Sequence, residues 1–162
     1  MKIRKYKSAD LEQYVSVVRE TYQKTNAREA TRAGMDAFLS LLDVKTNRKR
    51  IEKVFQDSTY VGVAVEQKKI VGVVRIMHNL RNKDTKSYWL SNLFVLPSYH
   101  RHGVGGQLLQ IAIDDVEKRG GREIKCMSSI YAIPFYTKYG FKKTTGVRNV
   151  GGKRVQPMRK SL

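Results

Sequence analysis

The stretch Leu93-Phe94-Val95-Leu96-Pro97-Ser98-Tyr99-His100-Arg101-His102-Gly103-Val104-Gly105-Gly106-Gln107-Leu108-Leu109 decides the fold. Its first part is an apolar run closed by Pro97, which reads as the end of a strand. Its last part opens a helix, because Val104, Leu108, Ala112 and Val116 form an i, i+4 stripe, widened by Leu109, Ile111 and Ile113. The loop between them enters that helix through Gly103, Gly105 and Gly106. Glycines at a strand-to-helix turn let backbone approach a ligand closely. The unpaired N–H groups of a first helical turn, with the helix dipole, favour an anion such as phosphate. His100, Arg101 and His102 stand in the same loop, and Arg101 adds a fixed positive charge. Close packing of the helix on a sheet would call for the same glycines.

Upstream, Ser87 to Leu96 reads as a strand, preceded by a polar loop over Arg81 to Lys86. Thr59 to Val65 and Lys69 to Met77 are alternating, β-branched runs that predict a hairpin turning at Gln67 and Lys68, without an Asn-Gly signal. Lys2 to Lys7 predicts a first strand. Ser8 is placed to cap a helix in which Leu11, Tyr14, Val15, Val18 and Tyr22 recur at helical spacing, with Asp10 and Glu12 suiting its positive end. Met35, Phe38, Leu39 and Leu42 predict a second helix, and Asn47 is placed to cap a third carrying Ile51, Val54 and Phe55.

Downstream, Gly120 and Gly121 stop the long helix after Lys118 and Arg119. Glu123 to Met127 predicts a short strand. Ala132 to Tyr139 predicts a short helix with Pro134 in its first turn. Phe141 to Val150, Gly151-Gly152 and Arg154 to Lys160 read as a closing hairpin. No repeat and no break in composition divides the chain, so one α/β domain is expected over 1–162.

Composition limits the function classes. Lys and Arg number 32 against 14 Asp and Glu, a formal charge of +18, which suggests an anionic partner: nucleic acid, a membrane surface or a polyphosphate. From Ile124 to Leu162 there is no acidic residue, yet the basic ones alternate with apolar ones and form no compact tail. No RNA-recognition motif accompanies them, so RNA is a minor expectation. No apolar run approaches the roughly 18 residues of a membrane helix, and no apolar segment follows the first charged residues as in a secretory signal. The single Cys126 excludes an internal disulfide, so a reduced, cytoplasmic setting is expected.

Two phosphate loops fail on residues. No Lys-Ser/Thr follows Gly106, as a P-loop requires. Gly103-Val104-Gly105 is followed by Leu108 where a dinucleotide fingerprint has its third glycine.

The loop resembles the acetyl-CoA loop of the GNAT superfamily of N-acetyltransferases, whose pattern is Gln/Arg-x-x-Gly-x-Gly/Ala after a strand ending in Val-x-Pro. Val95-Leu96-Pro97 is followed here by His100-Arg101-His102-Gly103-Val104-Gly105, with His100 where Gln or Arg is usual. Ser129-Ile130-Tyr131-Ala132-Ile133-Pro134-Phe135-Tyr136-Thr137-Lys138-Tyr139-Gly140-Phe141 resembles a second segment of that family, Asn/Ser-x-x-Ala-x-x-Phe-Tyr-x-x-x-Gly-Phe. The resemblance implies a mixed, mostly antiparallel sheet of about six to seven strands flanked by helices and splayed where the coenzyme binds.

It also implies roles. Leu93, Phe94 and Val95 would present backbone to the pantetheine arm and thioester. His100, Arg101, His102, Gly103, Val104, Gly105 and Gly106 would surround the pyrophosphate, and Ser129 and Phe135 would contact the coenzyme. Tyr136 matches the family's general acid. A phenol near pKa about 10 is a sensible donor to a thiolate of about 8.5 if the site shifts either modestly. Acetyl-CoA would be the donor cosubstrate, with no metal and no membrane partner. A homodimer is compatible with the family.

The general base is left open. Ser87 to Leu96 contains no acid; Glu66, His78 and Asp84 lie near strand ends, and Glu20, Glu29 and Asp36 lie in the helical region. Attack by an already neutral amine is the alternative. The charge disfavours a polycationic acceptor and is more compatible with a neutral or anionic amine. A catalytically weak acyl-CoA-binding domain and a basic RNA- or ribosome-associated protein are the competing functions.

Overall fold

The structure is a computed structural model that describes residues 1–79 and 86–162. The predicted loop over Arg81 to Lys86, and Asp84 within it, lie almost wholly outside the described residues.

One sheet carries the fold. In chain order its strands and flanking helices are β1 (Lys2–Lys5), α1 (Leu11–Thr25), α2 (Arg32–Leu41), α3 (Val44–Gln56), β2 (Tyr60–Glu66), β3 (Lys69–His78), β4 (Ser87–Val95), α4 (Val104–Lys118), β5 (Glu123–Ser129), α5 (Ile133–Lys138), β6 (Lys142–Lys143), β7 (Arg148–Val150) and β8 (Lys153–Ser161). The strand order is β1-β2-β3-β4-β5-β8-β6, with β7 also on β8. Every pairing is antiparallel except β4 with β5. The sheet thus has eight strands, more than expected, because Thr144 to Val147 break the first arm of the closing hairpin into β6 and β7.

Local chemistry explains most element ends. The β2–β3 turn falls at Gln67 and Lys68, both with positive φ (46° and 67°), the backbone geometry of a two-residue hairpin. Gly120 ends α4 with φ 73°. Two expected caps differ. Ser8 lies in a 3-10 turn; it is the Asp10 carboxylate that accepts the Lys7 amide at 2.8 Å while taking two hydrogen bonds from Arg4. Asn47 sits inside α3, whose N-cap is Asp43, one helical turn earlier.

Helices cover both faces of the sheet. Val104, Leu108, Leu109, Ala112, Ile113 and Val116 of α4 pack on Val74, Ile76, Tyr88, Leu90 and Ile124. On the other face Tyr14, Val17 and Val18 of α1 meet Val63, Ile70 and Val73.

The functional opening arises at β4. Ile76 pairs with Leu90 but Arg75 pairs with Asn92, so Ser91 is an extra residue. A bulge bends its strand and reverses which face its side chains take. Accordingly Tyr88 and Leu90 face α4 before it, Leu93 and Val95 after it, while Phe94 joins the α1 side. The parallel rungs between β4 and β5 run from Ser87–Glu123 to Leu90–Cys126 and stop there. Beyond this point the two strands part.

Candidate active site

A cavity of about 790 Å³ occupies the split. Its walls are the outer half of β4, the start of α4, the end of β5 with α5, the α1–α2 region, and the start of β8. Leu93, Phe94 and Val95 line it, as do His100, Arg101, Gly103, Val104, Gly105 and Gly106, and so do Ser129, Phe135 and Tyr136. His102 does not; it is exposed and outside the lining.

The β4 backbone divides between two neighbours. The Leu96 N–H donates to the Val71 carbonyl at 2.9 Å. Antiparallel ladders alternate, so Phe94 also spends its backbone groups on β3, while those of Leu93 and Val95 point into the split. Phe94 therefore contributes its side chain, not its amide. The Val95 carbonyl is already engaged: Thr21 Oγ1 donates to it at 3.0 Å and His100 Nε2 at 2.8 Å. The Leu93 N–H and C=O and the Val95 N–H form the free edge.

His100 acts as a strut. With Nε2–H given to Val95, Nδ1 accepts from the Tyr131 hydroxyl at 3.4 Å. The ring links the end of β4 to the loop after β5, across the cavity mouth. The departure from the family pattern at this position thus has a structural use.

The loop reaches α4 through two left-handed residues, Arg101 (φ 64°) and Gly103 (φ 80°), and no side chain caps the helix. The N–H groups of its first turn face the cavity wall formed by Gly103 to Gly106. Gly105 and Gly106 permit α5 to close over this turn. A Cβ on Gly105 would lie 3.4 Å from the Phe135 ring, and one on Gly106 would run into the Tyr139 hydroxyl. An uncapped helix start and an unpaired strand edge, both lining one cavity of this volume, fit a thioester ligand carrying a pyrophosphate.

Tyr136 projects from α5 and is nearly buried. Its hydroxyl has no hydrogen-bond partner among the described residues. Burial, and secondarily Cys126 nearby, push its pKa well above the ordinary phenol value, so it holds its proton at neutral pH. Ser129 Oγ accepts the Ala132 amide at 3.2 Å and so shapes the entry to α5.

The acids considered as bases fare differently. Glu20 is paired with Lys24, Glu66 lies near the N-terminal amine, Asp36 is exposed, and His78 stacks on Tyr88; none lines the cavity. Glu29 does, but its carboxylate accepts the amides of Ile130 at 3.0 Å and Tyr131 at 2.6 Å. Among the described residues no cluster of His, Cys, Asp or Glu could hold a metal ion, and no helix is long and apolar enough to cross a membrane.

The model of the acetyltransferase (GNAT) domain matches residues 26–162. The chain belongs to the GNAT acetyltransferase family. As a member it is an acyltransferase enzyme. Among solved structures it is similar to the PaiA N-acetyltransferase of Thermoplasma acidophilum, crystallised with coenzyme A: 22% identity, 99% of this chain and 98% of that one, TM-score 0.77. The ribosomal-protein-alanine N-acetyltransferase of Brucella melitensis gives 19% identity, full coverage of both chains and TM-score 0.78. An aminoglycoside 6'-N-acetyltransferase complexed with coenzyme A gives 18% identity, 99% and 97% coverage and TM-score 0.71. At these identities the GNAT fold is what they share with this chain. No curated protein matches it.

Several lining residues carried no local sequence signal. Thr21 stands in no stripe, Tyr22 and Phe38 read only as members of helical stripes, Tyr131 as an unassigned position of the second family segment, and Lys153 and Arg154 as hairpin residues. They become wall residues because α1, α2 and β8 converge on the mouth of the split.

Proposed function

We propose that this GNAT enzyme transfers the acetyl group of acetyl-CoA to a primary amine by direct attack, with Tyr136 as general acid. The observation that carries the reading is the Tyr136 hydroxyl, protonated and without a partner among the described residues, in a wall of the same cavity that the free edge of β4 lines.

The pyrophosphate would rest on the first-turn amides of α4, and the pantetheine arm would run along Leu93 and Val95. The neutral amine attacks the thioester carbonyl, the C–N bond forms and the C–S bond breaks. The departing sulfur takes the Tyr136 proton, water accepts the proton lost by the new ammonium, and the Tyr136 phenolate regains a proton from that water. Burial raises the pKa of the phenol and so keeps the donor protonated until the thiolate forms.

The engagement of Glu29 by two amides supports a route without a carboxylate base. Thermal stabilisation by acetyl-CoA, followed by thiol release with a panel of amines, tests the reading. Stabilisation without thiol release from any amine would favour the acyl-CoA-binding alternative instead.

A further inference from the structure

The cavity walls are strongly basic. Besides Arg101 of the phosphate loop and Lys138 of α5, which closes over that helix start, they hold Lys153 and Arg154, and the one acid among the described lining residues is Glu29, whose two oxygens are taken by backbone amides. Lys153 differs from the basic residues scattered over the surface. Its backbone is fixed on both sides, paired with Val150 of β7 and bridged to Ala30 ahead of α2. Its Nζ lies 4.7 Å from the centroid of the Phe38 ring, which itself packs on Tyr22 at 4.2 Å. Among the described residues it has no carboxylate partner, and it is half-buried. Burial lowers its pKa below the ordinary lysine value.

We propose that the acceptor is a small amine that also carries a carboxylate or phosphate group, and that Lys153 binds that anion. The inference rests on the acetyl-transfer reading above and specifies its acceptor. An anion beside Lys153 restores the partner that the desolvated ammonium lacks, and charge-assisted hydrogen bonds are strongest in such partly dry sites. The Phe38 ring, backed by Tyr22, holds the ammonium in the cavity wall. The same cations also act on the reacting amine. Like charges disfavour its protonated form, so it enters as the neutral nucleophile without a carboxylate base. A polycation meets the reverse: each extra ammonium is repelled, and no free carboxylate in the described walls compensates.

The test uses the full chain with matched amines: β-alanine, phosphoethanolamine and propylamine, with spermine as the polycation. The acid-bearing amines should exceed propylamine by at least about tenfold in kcat/KM, the scale of one charged hydrogen bond. Lys153→Met should bring that ratio close to one, and Lys153→Arg should keep it. A preference for carboxylate over phosphate, or the reverse, identifies the anion. A binding readout covers slow turnover: N-acetyl-β-alanine, but not N-propylacetamide, should raise the Tm of the CoA-loaded protein, and Lys153→Met should abolish that rise. Equal rates for propylamine and the acids, spermine as the best acceptor, or a ratio and Tm rise unaffected by Lys153→Met would overturn the proposal. Failure of CoA itself to stabilise the protein, seen before any amine is added, would overturn the acetyl-transfer reading instead.

Discussion

Glu29, ahead of α2, accepts the amide hydrogen of Tyr131 at 2.6 Å, and its other oxygen takes that of Ile130 at 3.0 Å. One side chain from the helical region thereby fixes the turn that launches α5, and with it Tyr136. Charge-assisted hydrogen bonds of this kind contribute about 1.5–3 kcal/mol. Glu29→Ala should lower the unfolding free energy by roughly 2 kcal/mol. It should also reduce kcat, because α5 loses its tether. Denaturant melts and steady-state rates check both. A Glu29 acting as base would instead leave stability nearly unchanged in Glu29→Gln while kcat collapsed.

Tyr136→Phe removes the proton donor while keeping the ring that packs on Phe135 and Phe141. General acids contribute about 10²–10⁴ in rate. The variant should lose kcat on that scale and retain its dissociation constant for CoA, as read by calorimetry. Unchanged kcat would remove the hydroxyl from the reaction.

Gly105 and Gly106 make a graded pair. A methyl on Gly106 collides with the Tyr139 hydroxyl, whereas one on Gly105 meets Phe135 at 3.4 Å, tight but yielding. Gly106→Ala should cost about 1–3 kcal/mol and weaken CoA binding by displacing α5. Gly105→Ala should cost less. Comparing Tm and CoA affinity of the two variants ranks the contacts.

Asp10 gives a pH dependence. Its hydrogen bonds to Arg4, with the Lys7 amide assisting, hold its pKa below the ordinary carboxylate value. A group depressed in the folded state stabilises fully above its unfolded pKa, and the effect fades as pH falls through the folded one. Wild-type stability should therefore drop below about pH 4, the ordinary carboxyl value. In Asp10→Asn that part of the acid limb should vanish and stability at neutral pH should be lower. Melts between acid and neutral pH test the sign.

Cys126 is buried on β5 in the core under α4, and burial pushes its thiol up to about 12. It should react with thiol reagents at pH 8 only at the rate of unfolding. Fast modification in the native state would contradict the burial.

The linear chain determined a good deal. The Gly103–Gly106 helix start, the two-residue turn at Gln67 and Lys68, the end of α4 at Gly120 and the apolar stripe of α4 follow from dihedral preference and periodicity, which are properties of neighbours in sequence. The same locality makes the Tyr136 segment legible as a motif. What only tertiary structure decided is everything that needs two distant segments at once. The extra residue at Ser91 shows no mark in composition, yet it turns Leu93 and Val95 toward α4 and coincides with the last rung to β5. Glu29 reads as one of several possible bases until its two amide partners, a hundred residues later, occupy both its oxygens. Lys153 is one basic residue among 32 until folding sets it over Phe38 in the cavity wall. The reason is the same in each case: hydrogen-bond saturation and desolvation depend on what the fold brings within a few ångströms, and sequence spacing does not encode that.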